Sequence, residues 1–168
     1  MDPIFGHLRE QSWHPTFDWK PTPLAAADRI NVWHEDYPQR VQATSRVIAS
    51  FEARKLNGGP AAIPISNDLL LQLHRTVFRD EEWAGQWRKV QVRVGEHRPP
   101  RPGLVPAYMQ ELEDTYKGVH TVEDLVSWYT DFETIHPFLD GNGRVGGIVV
   151  ATFSHLFHPE MGWLAPDQ

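Results

Sequence analysis

The sequence predicts an all-α fold with one small β-hairpin. Apolar residues recur three and four positions apart over most of the chain, the spacing of helices with one covered face. Helix-starting residues (Thr, Ser, Pro) and helix-stopping glycines bracket those stretches. Only RKVQVRV, residues 88–94, alternates apolar with polar, as a strand with one covered face does. With 168 residues, 40% of them hydrophobic, the chain can build one domain with a real core but barely two.

Residues 1–21 carry Phe5, Trp13, Phe17 and Trp19 without a period, and read as an extended arm. Residues 22–168 read as one helical domain. Thr22-Pro23 resembles an N-cap with proline in the first turn, starting a short helix to about Trp33. A second helix is expected over Pro38 to Leu56, with Val41, Val47, Ile48 and Phe51 on one side and Asn57-Gly58-Gly59-Pro60 as its stop. Ser66 caps a third, carrying Leu69, Leu70, Leu73 and Val77. After the alternating run, Pro99, Pro100 and Pro102 stiffen a loop. Pro106 then opens a helix with Tyr108, Met109, Leu112 and Tyr116 in period, closed by Gly118. Thr121 with Asp124 resembles a capping box, and Leu125, Trp128, Tyr129, Phe132 and Ile135 form the stripe of the helix that follows. RVGGIVVATFSHLF is apolar nearly all round and therefore central.

Composition narrows the function. The absence of cysteine excludes disulfides, thiolate metal sites and cysteine nucleophiles. A net charge of −6 argues against broad electrostatic binding to nucleic acid. No apolar run reaches the ~18 to 20 residues of a membrane span, and MDPIFGHLREQSW lacks the basic start and apolar run of a secretory signal. A cytoplasmic protein is expected, in its own cell or delivered into another.

The chemistry concentrates in HPFLDGNGRVGG, residues 136–147. Gly141-Asn142-Gly143 stands where a helix begins, and free N–H groups at a helix start favour anions. Arg144 adds a forked donor for phosphate oxygens. Asp140 suits Mg²⁺, which takes one or two carboxylates plus phosphate oxygens. His136, with an ordinary pKa near ~6.5, can accept a proton at neutral pH. Taken alone, the stretch reads equally as a turn between two helices.

HPFLDGNGR resembles the signature of the Fic family, His-x-Phe-x-(Asp/Glu)-Gly-Asn-Gly-Arg-x-x-Arg. The similarity runs from about Leu69 to Phe157 and includes AGQWRKVQVRVG before the proline-rich loop, which is similar to the family's flap hairpin. The resemblance implies a Fic-type helical bundle and a protein adenylyltransferase, moving AMP from ATP, with Mg²⁺ or Mn²⁺, onto a Ser, Thr or Tyr hydroxyl of a target protein. It makes His136 the general base, Phe138 the core anchor, Asp140 the metal ligand, Gly141, Asn142 and Gly143 the anion hole, and Arg144 a phosphate-binding arginine. The flap around Val90, Gln91, Val92, Arg93 and Val94 would hold the target by strand addition. One position departs: where the family carries its second arginine, this chain has Gly147. That keeps two other readings open, a Fic-fold transferase with another donor (a different nucleotide, phosphate or phosphocholine) and a catalytically weak nucleotide-binding pseudo-enzyme. The family's self-inhibitory pattern, (Ser/Thr)-x-x-x-Glu-(Gly/Asn), does not occur, so inhibition is expected from a separate protein, if from anything.

Overall fold

The structure, a computed structural model, describes residues 18–22, 36–58, 65–117, 121–157 and 163–167. Five helices follow one another: α1 (Tyr37–Gly58), α2 (Asn67–Val77), α3 (Val105–Thr115), α4 (Val122–Ile135) and α5 (Asn142–Phe157). The all-α expectation holds, and each of these helices coincides with one read from the periodicity to within a few residues. The short helix expected after Thr22 lies outside the described residues. The end of the expected arm forms a strand, β1 (Asp18–Thr22), which pairs antiparallel with β2 (Trp163–Asp167) in the register Asp18↔Asp167 to Thr22↔Trp163. Pro21 and Pro166 hide these strands from pattern reading. In a two-stranded sheet both strands are edges, where proline is tolerated. Among the described residues no helix is long and apolar enough to cross a membrane.

Local chemistry sets the helix ends. Ser66 accepts the Leu69 N–H (3.1 Å) and Thr121 accepts the Asp124 N–H (3.1 Å), so α2 and α4 each start on a hydroxyl cap. Tyr116 at the end of α3 donates its hydroxyl to Asp131 on α4 (2.6 Å), a buried tie between the two helices. The centre is α5. Val145, Ile148, Val149, Val150, Ala151 and Phe153 are all buried, as an apolar-all-round helix must be. Gly146 lets α4 come close: a Cβ there would stand 2.9 Å from Tyr129 and 3.0 Å from Phe132. On α1, Arg40 is buried and reaches Asp36, Asp80 and the Val77 carbonyl, tying α1 to the end of α2.

The expected hairpin is reduced to a single bridge. Val94 and His97 exchange both main-chain hydrogen bonds (3.0 and 2.8 Å) around Gly95-Glu96, and no strand extends from them. The proline-rich loop explains this. The next doubly bonded pair would be Val92 with Pro99, and Pro99 has no N–H to give. Val92 and Val94 are half-buried between exposed Gln91 and Arg93, but Val90 is 50% exposed, so the alternation yields only a partly covered face.

What fixes this segment instead is the carboxyl end of α4. A helix leaves its last four carbonyls unpaired. Here the Thr134 carbonyl accepts from His97 Nε2 (2.9 Å), the Ile135 carbonyl from Arg88 Nη2 (3.2 Å) and the His136 carbonyl from Arg88 Nε (2.7 Å). The Pro137 carbonyl accepts the Arg88 main-chain N–H (2.8 Å). The same guanidinium donates to the carbonyls of Val90 and Pro100. A cation at a helix carboxyl end is also favoured by the dipole.

Arg88→Met should therefore destabilise the protein by roughly 3 kcal/mol or more, since it strands several buried acceptors at about 1 to 3 kcal/mol each. Lys89→Ala, on an exposed neighbour, should stay within about 0.5 kcal/mol of the parent. Chemical denaturation of the two variants is the check; equal stabilities would show that water replaces the guanidinium without penalty.

Candidate active site

His136 is the residue that ends α4, and it does so in the left-handed conformation (φ 52°, ψ 63°). Glycine usually fills that place, and for a side chain it costs about 1 to 2 kcal/mol. It is the one positive-φ residue other than glycine among the described residues. Strain of this kind persists where surrounding bonds over-determine it, and the Arg88 clamp on the His136 carbonyl does so here. The ring is about 20% exposed. Burial holds its pKa below the ordinary histidine value, with the charges of Arg88 and His97 acting the same way and the Glu133 main chain and Asp140 opposing. At neutral pH the ring is uncharged and can accept a proton.

Beyond Pro137 the chain bends through a loop that is braced from three sides. Phe138 is fully buried and stacks on His74 of α2 (ring centroids 3.8 Å, planes 5° apart), with Trp87 beside it at 5.2 Å. Asn142 turns back on the loop: its Oδ1 accepts the Phe138 N–H and its Nδ2 donates to the Phe138 carbonyl, both at 2.9 Å. The Asn142 side chain is thus spent on the loop and 2% exposed. Only its main chain is left to face an anion. His74 Nε2 donates to the Asp140 carbonyl (2.9 Å), and His74 Nδ1 accepts the Gly85 N–H (2.8 Å), which defines the tautomer. Burial pushes the His74 pKa down to about 4, so the ring stays neutral in this role.

Asp140 points outward, with its side chain 66% exposed. Its Oδ1 accepts the Gly141 N–H (2.8 Å) and lies 3.9 Å from Arg144 Nη2. Gly141 has φ 84°, and a Cβ there would fall 2.2 Å from the Phe78 ring, so both backbone and space require glycine. The first turn of α5 then presents the N–H groups of Asn142, Gly143 and Arg144, which have no acceptor within the helix. The Arg144 guanidinium sits 4.6 Å above the same Phe78 ring, half-buried beside that turn. Gly147 is buried one turn on. Among the described residues no three His, Asp or Glu gather to hold a metal alone. A cation at Asp140 would need oxygens from a ligand to complete its shell.

The fold therefore brings His136, Asp140, Gly141, Gly143 and Arg144 around one loop. It adds four residues that sequence reading did not single out: His74, Phe78, Arg88 and Glu133. His74 falls within the apolar stripe of α2, where a polar ring in a buried register was the available signal. Glu133 lies one turn before His136. Its carboxyl is buried, its Oε2 stands 3.9 Å from His136 Nδ1, and burial raises its pKa to about 7.

Comparison with known proteins agrees with this geometry. Residues 64–154 match the model of the Fic/DOC family, a segment holding α2 to α5 up to Ser154 and the whole loop. Over 90 residues the chain is 37% identical to the protein adenylyltransferase Fic of Drosophila willistoni and 36% identical to that of Drosophila grimshawi. Those matches cover 49% of this chain but only 18% and 19% of the relatives, so the chain spans less than a fifth of their length. Among solved structures, a Fic-domain-containing signaling protein from Bacteroides thetaiotaomicron superposes with a TM-score of 0.59 at 26% identity, covering 76% of this chain and 51% of that one. A Fic family protein from Desulfovibrio desulfuricans gives 0.54 at 25%, covering 77% and 40%. By sequence, by fold and by the residues gathered around its loop, the chain belongs to the Fic/DOC family.

Proposed function

We propose that this protein transfers AMP from ATP to a Ser, Thr or Tyr hydroxyl of a target protein. The observation that carries this reading is the loop itself: an uncharged, clamped His136 stands four residues before an outward-facing carboxylate and an anion-binding helix start. Relatives that the chain matches over 90 residues are named protein adenylyltransferases, which supports the same chemistry.

In the proposed reaction the hydroxyl oxygen attacks the α-phosphorus of ATP as its proton passes to a ring nitrogen of His136. The new O–P bond forms while the bond to the β-phosphate oxygen breaks, and pyrophosphate leaves. The main-chain N–H groups at the start of α5 and the Arg144 guanidinium hold the phosphates and meet the charge that develops on them. Asp140, one oxygen committed to Gly141 and the rest of the carboxylate exposed, fits a Mg²⁺ or Mn²⁺ ion that arrives with the nucleotide. When bound, such an ion neutralises phosphate charge. The segment 90–93, paired among the described residues only next door at Val94, would receive the target chain by strand addition. A location in the cytoplasm and a separate inhibitory protein complete the proposal.

Gly147 favours a second reading. Without the arginine that the resemblance places there, a charge-assisted phosphate contact of about 1.5 to 3 kcal/mol is missing. A donor whose far end is not a γ-phosphate would not need it. Incubating the protein and a cell lysate with α-labelled or γ-labelled ATP separates the two readings. Label entering protein from the α position alone is the expected result; no label from either position, with transfer appearing when a donor lacking a γ-phosphate is supplied, would assign the second reading instead.

His136→Ala should reduce transfer by about 10² to 10⁴ while leaving ATP affinity close to the parent value. Undiminished modification of target by this variant would exclude His136 as the base. Asp140→Asn keeps an acceptor for the Gly141 N–H but removes the charge. It should lose most of the rate, on the scale of the several kcal/mol a bound metal contributes, and the parent protein should stop in excess EDTA. Full turnover in either case would show that no metal is held at Asp140.

A further inference from the structure

Two buried polar atoms next to the proposed base have no hydrogen-bond partner: His136 Nδ1 and Glu133 Oε1. They belong to side chains one helical turn apart, with the other Glu133 oxygen 3.9 Å from the same ring nitrogen. A buried polar atom left unpaired costs about 1 to 3 kcal/mol. Here both lie on side chains that already approach each other, and a bond between the carboxyl and the ring nitrogen would satisfy the two together. The ring of His136, which ends the helix in the left-handed conformation, stays within reach of Glu133 on that same helix.

From this juxtaposition we infer that Glu133 is a positioning residue for the reaction proposed above, its carboxylate accepting the His136 Nδ1–H and so leaving Nε2 as the atom that takes the hydroxyl proton. The inference rests on the adenylyltransferase reading for its consequence, though not for its geometry. A histidine base can work from either nitrogen, and the partner of one nitrogen decides which. With Nδ1–H held by a carboxylate, the lone pair sits on Nε2. The positive charge that arises there as the proton arrives is matched by the carboxylate behind the ring. The Arg88 and His97 side chains bond main-chain carbonyls at the helix end and touch neither ring nitrogen. The Glu133 main chain also favours the charged ring, but it is neutral and does not match the charge that arises there as a carboxylate does. The charged and titratable groups bearing on it are Arg88 and His97 from the 88–97 segment and Asp140 from the signature loop, and the first two disfavour a charged ring.

The carboxyl itself titrates in the working range. Glu133 is pushed up to about 7 by burial, from an ordinary value of 4.5. Because the folded protein holds this proton more firmly than the unfolded chain, stability is highest below pH 4.5 and declines as pH rises to about 7. Above that, an ionised buried carboxylate is carried at a cost to the fold. A group kept for structure alone would be better replaced by its amide.

Glu133→Gln tests this, since it preserves shape and removes the charge. At pH 8 the variant should melt at a higher temperature than the parent, with the gain shrinking toward pH 5. It should bind ATP equally well yet transfer on the order of 10²-fold more slowly. The deciding measurement needs neither donor nor target: ¹⁵N NMR of the histidine rings in the full chain. In the parent at pH 8, His136 should be the Nδ1–H tautomer, and Glu133→Gln should lower the His136 pKa, ring and carboxyl titrating as a coupled pair. Identical His136 tautomer and titration in the two proteins would overturn the inference, however fast either one transfers. A shifted titration in a protein that moves no label from ATP would uphold the pairing, and the failure would fall on the adenylyltransferase reading.

Discussion

The structure depends on how the carboxyl end of α4 is satisfied. Four successive carbonyls, Thr134 to Pro137, are taken by two residues of one preceding segment, Arg88 and His97. No helix bond is available to these groups, and they are enclosed by protein, so the donors decide whether the helix can end where it does. That ending places His136. The segment supplying the donors is the one proposed to receive a target chain, so the proposed base and the proposed docking edge share one support. A helix ending on glycine would have been easier to build, but it would carry no ring.

The signature loop is held by the same economy of main-chain bonds. Asn142 engages both main-chain polar groups of Phe138, and His74 engages the carbonyl of Asp140. Stacked aromatic rings then fill the space beneath. A loop braced in this way is held still before any ligand arrives.

Much of this was legible in the sequence, for reasons that can be named. Helices were readable because their stripes repeat at helical spacing and Ser66 and Thr121 announce two of the starts. The loop was readable because its residue types are chemically unusual side by side. The 88–94 hairpin misled because alternation reports side-chain direction and not the partner's hydrogen-bonding capacity, and the opposing prolines cannot donate. The β1–β2 pair was invisible for the converse reason: residues 18–22 and 163–167 lie far apart in sequence and neither alternates. The bracketing of the Phe138 peptide unit by the Asn142 amide was not legible, because a side chain's return to its own loop shows only in three dimensions. Arg88 and Glu133 could not be distinguished from any charged residue until burial was known.

Phe78 closes the account. Its ring occupies the volume a side chain at position 141 would need and also lies beneath the Arg144 guanidinium. One aromatic side chain at the end of α2 thus sets both the path of the cradle and the height of its cation. In any survey of variants ranked by nucleotide affinity, changes at this position would imitate the loss of a direct contact. If the loop binds a donor as proposed, the residues that set its affinity extend beyond the atoms a donor can touch.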